Sequence, residues 1–382
     1  MTRLEEKNQK IIDAIVKKAK RVCPESLALI GIYGSFLTGD IYSKSDLDLL
    51  ILINNDSGWQ LSCTFIQEDE MVGYDLYCTN WDSLKDDAQY NHPNISKLMD
   101  SKIVYCADKK YLEKLEKLRN TVKDKLAVPL TTQDYDKSLN YLEEAYHYIN
   151  IAKQSANKTK MLEGIGAAIY YLENAVAMLN KRYFRLGVKR AYDELNGMEK
   201  KPDMFCELIE KVISAPTVDD AKEELMYLIK ETTEIFVKEG LSLGKTICVQ
   251  DILEEKNKTI FEDNESQNNS NRKAVTAHAL EKTYEEMFSN WRNKMYFAAE
   301  TENRHLAFMS LISFNAMLSE ISSEWRIGDY NPLSGYNPAD LYATAQAFDS
   351  TLKEYLEEYK KIGLEINRYA NIDGFVCDYL YS

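Results

Sequence analysis

The sequence has few of the residues that build disulfide scaffolds, zinc sites and membrane spans. Of its 382 residues, seven are cysteine, seven are proline and four are histidine. No two cysteines show C-x-x-C spacing, and this pattern predicts free thiols in a reducing compartment. The opening segment MTRLEEKNQKIIDAIVKKAK lacks the apolar region of a signal peptide. No run approaches the roughly 18 apolar residues of a membrane helix. We therefore expect a cytoplasmic protein without a membrane partner.

An excess of basic charge is also missing. The chain has 47 Lys and Arg against 61 Asp and Glu, for a net charge of −14. Binding to nucleic-acid backbones needs clustered Lys and Arg, so we expect no nucleic-acid partner. The hydrophobic content of 45% is typical of a globular protein with a sizeable core.

Hydrophobic periodicity predicts an α+β protein. A helix over 4–22 is followed by β-rich runs as far as about residue 106, which predicts a small domain around a short mixed sheet within 1–125. Residues 126–250 show helical patterns with short polar breaks, which indicates a helical bundle domain. The Asn-rich stretch 254–273 is typical of a linker or exposed loop, and 274–382 resumes a helical pattern as a further C-terminal region.

The most informative segment is YGSFLTGDIYSKSDLDLLILI, from Tyr33 to Ile53. Gly34 allows the backbone to approach an anion closely, and Ser35 adds a hydroxyl donor at the start of an expected helix. Asp46 and Asp48 are two residues apart on an expected strand over 45–53, so both carboxylates face the same side. Two adjacent carboxylates repel each other, and a divalent cation is the natural compensation.

These residues resemble the nucleotidyltransferase motif of the DNA polymerase β superfamily, and most closely its aminoglycoside and lincosamide branch, typified by kanamycin nucleotidyltransferase. The resemblance implies that Asp46 and Asp48 bind Mg²⁺, with two metal ions at work, and that Gly34 and Ser35 bind a nucleoside triphosphate. It also implies a third acidic residue on a nearby strand that holds metal or activates the attacking hydroxyl. Asp75 matches this position.

The remaining candidates are less specific. The acidic run at 68–70 is close to Asp75 in sequence but is typical of a solvated turn. Glu163 and Glu173 are both candidates for a general base from the helical region, and we prefer Glu173 because it lies among aromatic residues. Lys181 and Arg182 are expected to contact the triphosphate. The nearby Lys189 and Arg190 are alternatives for the same contact.

The sequence therefore predicts a Mg²⁺-dependent enzyme that transfers a nucleoside monophosphate, AMP from ATP, to a hydroxyl of a small molecule such as an aminoglycoside-like antibiotic. A protein-AMPylating enzyme of the antitoxin type and a nucleotide-sensing regulatory protein are the alternatives. The sequence does not decide whether the chain forms a homodimer.

Overall fold

The computed structural model describes residues 3–40, 44–246 and 272–381. Helices dominate, and a small β-containing region lies in the N-terminal part, which confirms the α+β class. The expected linker 254–273 lies outside the described residues except for its last two. Of these, Lys273 pairs with Trp325 in an isolated parallel bridge.

The described strands form two sheets, whereas the sequence predicted one. One has the order β5-β2-β1-β6, with β1 antiparallel to both neighbours and β2 parallel to β5, and the other has the order β4-β3-β7. Only Tyr77 separates β4 from β5, so one extended segment passes from the second sheet into the first. The strands are β1 (Leu27–Ile32), β2 (Leu49–Ile53), β3 (Cys63–Gln67), β4 (Val72–Leu76), β5 (Cys78–Asn80), β6 (Lys102–Cys106) and β7 (Arg368–Tyr369).

Helices cover both faces of the first sheet and then continue into a bundle. Short 3-10 turns occupy Asp56–Leu61, Val188–Arg190 and Pro332–Gly335, and a π-helical turn occupies Phe288–Arg292. The α-helices described are α1 (Arg3–Val22), α2 (Ser35–Thr38), α3 (Trp81–Asp87), α4 (Ser96–Asp100), α5 (Lys109–Ala127), α6 (Thr132–Gln154), α7 (Lys158–Leu179), α8 (Ala191–Asn196), α9 (Phe205–Ile213), α10 (Val218–Ser242), α11 (Ala277–Leu280), α12 (Thr283–Met287), α13 (Asn293–Glu300), α14 (Arg304–Glu324), α15 (Leu341–Lys361) and α16 (Ile372–Tyr381).

All five residues of β2 are buried, because each face of its sheet is covered by helices. Successive side chains of a strand point to opposite faces. Leu49 and Ile51 accordingly join a core that includes α1, while Leu50 and Leu52 join a core that includes α3 and α5. This two-sided burial holds β2 rigidly, and Asp48 immediately precedes it.

The C-terminal helices share one core with the bundle. Buried residues of α6, α7, α9 and α10 belong to the same hydrophobic cluster as residues of α13, α14 and α15. By length and composition α14 could cross a membrane, the one helix of the described residues of which this is true. Its Leu311, Phe314 and Leu318 are buried in that cluster. The core helices of soluble proteins often have the same length and composition, so these two properties are weak evidence for a membrane span.

The end of the chain returns to the N-terminal region. Strand β7 pairs in parallel with β3, and α16 packs against α1. The ring of Phe375 in α16 stacks on Phe65 of β3 with centroids 3.8 Å apart, and both rings are completely buried. The domain limits 1–125, 126–250 and 274–382 stay a prediction, and extensive packing crosses the last of them.

Candidate active site

The turn after β1 is built around a carboxylate. Gly34 has φ +69° and ψ −149°, a conformation that is essentially restricted to glycine. A Cβ at Gly34 would lie 2.6 Å from Cγ of Asp48, and closer still to its Oδ2. The backbone N–H of Ser35 donates a hydrogen bond to the Asp48 carboxylate. The glycine is therefore required both by its dihedral angles and by the space that Asp48 occupies.

The helix that follows this turn is shorter than a phosphate-binding helix. Helix α2 spans only Ser35–Thr38. The N–H groups of Leu37 and Thr38 donate to the Gly34 carbonyl, and the N–H of Ser35 is used by Asp48. The N–H groups of Ser35, Leu37 and Thr38 are therefore not free to bind an anion. The close backbone approach at Gly34 is made by the Asp48 carboxylate, and the Ser35 hydroxyl remains as the feature suited to phosphate.

Asp46 and Asp48 lie on an extended segment just before β2, and not inside the strand as the sequence predicted. The strand pairing stops there because β1 ends at Ile32, although the N–H of Tyr33 still donates to the carbonyl of Asp48 at 3.1 Å. The alternation nevertheless continues through this segment. Leu47 is buried, and the two aspartates on either side of it are half-buried.

The two carboxylates share one electrostatic environment. Burial raises the pKa of Asp46 above its ordinary value, while the ammonium groups of Lys294 and Lys189 act in the opposite direction. Burial and the charge of Asp46 raise the pKa of Asp48 to about 7, again opposed by the same two lysines. An added cation would stabilise the charged form of each carboxylate, as is typical of a site that binds positive charge.

The parallel pairing of β2 with β5 explains how Asp75 reaches this site. Ile51 pairs with Cys78 at the start of β5, and Asp75 precedes Cys78 by three residues just as Asp48 precedes Ile51. Thr64 on the neighbouring strand β3 donates its hydroxyl to Asp75 at 3.3 Å. Burial raises the pKa of Asp75, and the charge of Asp46 raises it further.

The acidic run at 68–70 has other partners. Glu68 forms an ion pair with Arg368 at 3.2 Å, and Glu70 pairs with Lys7 at 2.7 Å. Asp69 accepts a hydrogen bond from the amide of Gln67. These contacts lie around the β3–β4 turn, so the geometry supports the choice of Asp75 over the three residues of this run.

The donor chemistry of the site fits magnesium. In the part of the chain that the structure describes, no three His, Cys, Asp or Glu side chains are gathered closely enough to form a metal cage. Mg²⁺ rarely uses such cages and is usually bound by one or two carboxylates together with substrate phosphates and water. Asp46 and Asp48 would supply these carboxylates, and Asp75 is a further candidate ligand for a second ion.

Two lysines that lie far from the motif in sequence complete the cleft. Lys189, on the turn Val188–Arg190, and Lys294, in α13, line a small cleft together with Lys44, Asp46 and Asn293. The sequence identified Lys189 only as one of four basic residues that could meet phosphate. It gave no signal for Lys294, because helical periodicity does not distinguish one half-buried lysine from another.

The π-helical turn Phe288–Arg292 brings the C-terminal region onto the site. The side chain of Asn290 forms a hydrogen bond to Asp75. Ser289 packs so closely on β4 that a Cβ at Gly73 would lie 2.6 Å from its Cα. Such turns are frequent at functional sites. Asn290 and Ser289 are neighbours of the candidate site that the sequence did not reveal.

The three helical residues predicted for the site have other partners. Glu173 is buried in α7, with its Oε1 2.6 Å from Nε2 of His305. Lys181 forms an ion pair with Asp134 at 3.0 Å. The side chain of Arg182 is exposed. No contact among the described residues brings any of the three to the aspartates, so their roles in catalysis and nucleotide binding stay predictions.

The His305–Glu173 pair instead joins α14 to α7 inside the bundle. Burial alone would lower the pKa of His305, but the carboxylates of Glu173 and Glu210 outweigh burial and raise it. The ring of Tyr192 lies 4.6 Å from the imidazole, between centroids. This environment is that of a packed interior ion pair.

Comparison with known proteins supports the assignment of the N-terminal region. A search of curated proteins found no match to the chain. The family model of the nucleotidyltransferase domain matches residues 10–129, which include Gly34, Asp46, Asp48 and Asp75. The match supports a nucleotidyltransferase domain of the DNA polymerase β superfamily in this region, and a transferase that moves nucleotidyl groups.

Proposed function

We propose that this protein transfers AMP from ATP to a hydroxyl group of a small molecule, with magnesium as the cofactor. The observation that carries the proposal is the packing of the Gly34 turn on Asp48. It places the phosphate-binding candidate in direct contact with a metal-binding candidate. The domain match supports nucleotidyl transfer in general.

Each residue of the site has a role in this reaction. The Ser35 hydroxyl would donate a hydrogen bond to a phosphate oxygen, and Asp46 and Asp48 would hold the magnesium ion. Magnesium bound there would neutralise charge on the phosphates and align them for in-line displacement. Glu173 takes no part in this scheme, because its carboxylate is engaged with His305.

The proton of the acceptor hydroxyl passes to the Asp75 carboxylate. The freed oxygen forms a new bond to the α-phosphorus, and the bond from that phosphorus to the bridging oxygen of the β-phosphate breaks. Pyrophosphate leaves with the electron pair. Because burial raises the pKa of Asp75 above that of an exposed aspartate, its carboxylate is a better base than usual.

The acidic neighbours of Asp75 favour a cationic acceptor, such as an aminoglycoside. Burial and the charges of Asp75 and Glu285 raise the pKa of Glu286 to about 7. A carboxylate of this kind, half-buried beside Asp75, would gain from an ammonium group on the substrate. This local feature is more specific than the negative charge of the whole chain.

Pyrophosphate release tests the proposal. Wild type and Asp48→Asn would be assayed with ATP, GTP, CTP and UTP in magnesium, against a panel of aminoglycosides and lincosamides. Asp124→Asn, the same change at an exposed position of α5, is the matched control. We expect acceptor-dependent release that falls by at least about 10²–10³-fold in Asp48→Asn, since the charge that positions the metal is lost. Asp124→Asn should match wild type.

Two other outcomes would change the assignment. Tight magnesium-dependent ATP binding without release would indicate a protein acceptor or a sensing role. Absence of both binding and release would contradict nucleotidyl transfer by this site.

A further inference from the structure

The two faces of β4 meet different parts of the protein. The residues of β4 that join the buried cluster around α1 are Val72, Tyr74 and Leu76. Successive side chains of a strand alternate between faces, so Gly73 and Asp75 share the opposite face. Asp75 pairs with Thr64 of β3, and the Thr64 hydroxyl donates to its carboxylate at 3.3 Å. The π-helical turn Phe288–Arg292 contacts this second face.

Two adjacent residues of the π-helical turn make these contacts. The side chain of Asn290 forms a hydrogen bond to Asp75. Ser289 packs on Gly73 so closely that a Cβ there would lie 2.6 Å from the Cα of Ser289. Because Gly73 and Asp75 are two residues apart on one face, the two contacts together fix the turn at one position along the strand.

The same turn is fixed to the helical region. The guanidinium group of Arg292 donates to both carboxylate oxygens of Asp349 in α15, at 3.1 and 3.3 Å. The ring of Trp291 lies 5.7 Å from the ring of Phe314 in α14, between centroids. Asn290 is therefore carried by a segment that is anchored on both sides, as a residue that supports a catalytic group should be.

The two donors to Asp75 leave acceptor sites on its carboxylate. An ionised carboxylate offers about four acceptor sites on its two oxygens. Thr64 and Asn290 use two of these sites, and neither side chain carries a charge that would neutralise Asp75. The remaining sites can meet an acceptor hydroxyl, while the two hydrogen bonds restrain rotation of the carboxylate.

We propose that Asn290 is a positioning residue for Asp75, and that its amide holds the carboxylate in the orientation that takes the proton of the acceptor hydroxyl. The inference rests on the proposed function, in which Asp75 is the base. It also makes the C-terminal region, which lies outside the matched residues 10–129, a working part of the active site.

Steady-state kinetics of pyrophosphate release test this role, with ATP, magnesium and the aminoglycoside or lincosamide that supports the fastest release by the wild type. Asn290→Leu removes the donor and keeps a side chain of similar volume. We expect its kcat to fall about 10–10²-fold, as for a catalytic group misplaced by up to about 1 Å. The KM for ATP should change less than about twofold, because the lost contact is to Asp75 and not to the nucleotide. Asn290→Gln, which keeps an amide donor, should have a kcat at least about threefold above that of Asn290→Leu.

A double-mutant cycle shows whether Asn290 acts through Asp75. In the Asp75→Asn background, measured at higher enzyme concentration, Asn290→Leu should lower kcat by less than about twofold, because the group that Asn290 positions is already lost. Asn120→Leu, at an exposed position of α5, is the matched control and should have the wild-type kcat. Asn290→Ala replaces Asn290→Leu if that variant fails to fold.

The outcomes distinguish this inference from the proposed function. If Asn290→Leu keeps the wild-type kcat, or lowers kcat equally in both backgrounds, the positioning role is overturned while nucleotidyl transfer stands. If the wild type releases no pyrophosphate with any acceptor, the proposed function fails, and the inference fails with it.

Discussion

Replacing Gly34 with alanine is the sharpest test of the site geometry. The new Cβ would lie 2.6 Å from Cγ of Asp48, whereas an ordinary contact begins at 3.4 Å. Cγ must therefore move by at least about 0.8 Å, and Oδ2, which lies closer still, must move further. A misplacement near 1 Å in a catalytic group lowers the rate on the order of 10²-fold, which is about 2.7 kcal/mol of transition-state stabilisation.

The same substitution should reduce stability only modestly. At φ +69° and ψ −149° an alanine costs about 1–3 kcal/mol in backbone strain. The clash itself falls on the end of a half-buried side chain, which can rotate away. We therefore expect Gly34→Ala to remain folded in a denaturant titration and to lose on the order of 10²-fold in pyrophosphate release.

Gly39→Ala separates the effect of backbone strain from the effect of a steric clash with Asp48. Gly39 ends the same short helix at φ +80°, and a Cβ there would meet nothing within 4 Å. This control should lose about 1–2 kcal/mol of stability and keep its activity. If Gly34→Ala retained full activity, or if Gly39→Ala lost as much, the contact between Gly34 and Asp48 would not be what places the carboxylate.

Two predictions concern the packing around the site. His305→Leu leaves the Glu173 carboxylate buried without its partner and should lower the free energy of unfolding by about 3–5 kcal/mol. The pKa of His305 in the folded protein is raised above 6.5, so the stabilisation by the pair is complete below pH 6.5 and is lost as the pH rises through that raised pKa. A difference in unfolding free energy between wild type and variant that does not vary with pH would contradict this. Phe375→Ala removes a ring stacked on Phe65 and should lower the free energy of unfolding by about 3–5 kcal/mol in chemical denaturation. A loss below about 1 kcal/mol would show that α16 adds little to the N-terminal core.

Local sequence patterns were sufficient to predict the helix and strands around the motif. Helix α1, strand β1 and the alternation through Leu47 and Asp48 follow from the period of apolar residues, because burial on one face imposes that period on the sequence. The predicted first and last residues of these elements were less accurate. The strand expected over 45–53 begins only at Leu49, since the end of pairing depends on where the partner strand turns away.

The helical part of the site could not be found in this way. Glu173 was preferred because it lies among aromatic residues, yet its partner, His305, is 132 positions away in sequence. Lys181 was expected to meet phosphate, but it pairs with Asp134 at the start of α6. A charged residue on a helix can serve a core, a cap or a substrate, and only its neighbours in space decide among them.

The sequence by itself determined the chemistry that the first domain can offer. A glycine and a serine before a short helix, and two aspartates in alternation with buried leucines, predict a phosphate and metal site from local spacing. Only the tertiary structure showed what faces that site. Lys294 reaches the cleft because strand β7, helix α16 and the π-helical turn hold the end of the chain on the N-terminal sheets. Contacts between residues hundreds of positions apart arise from packing, which leaves no periodic trace in the sequence.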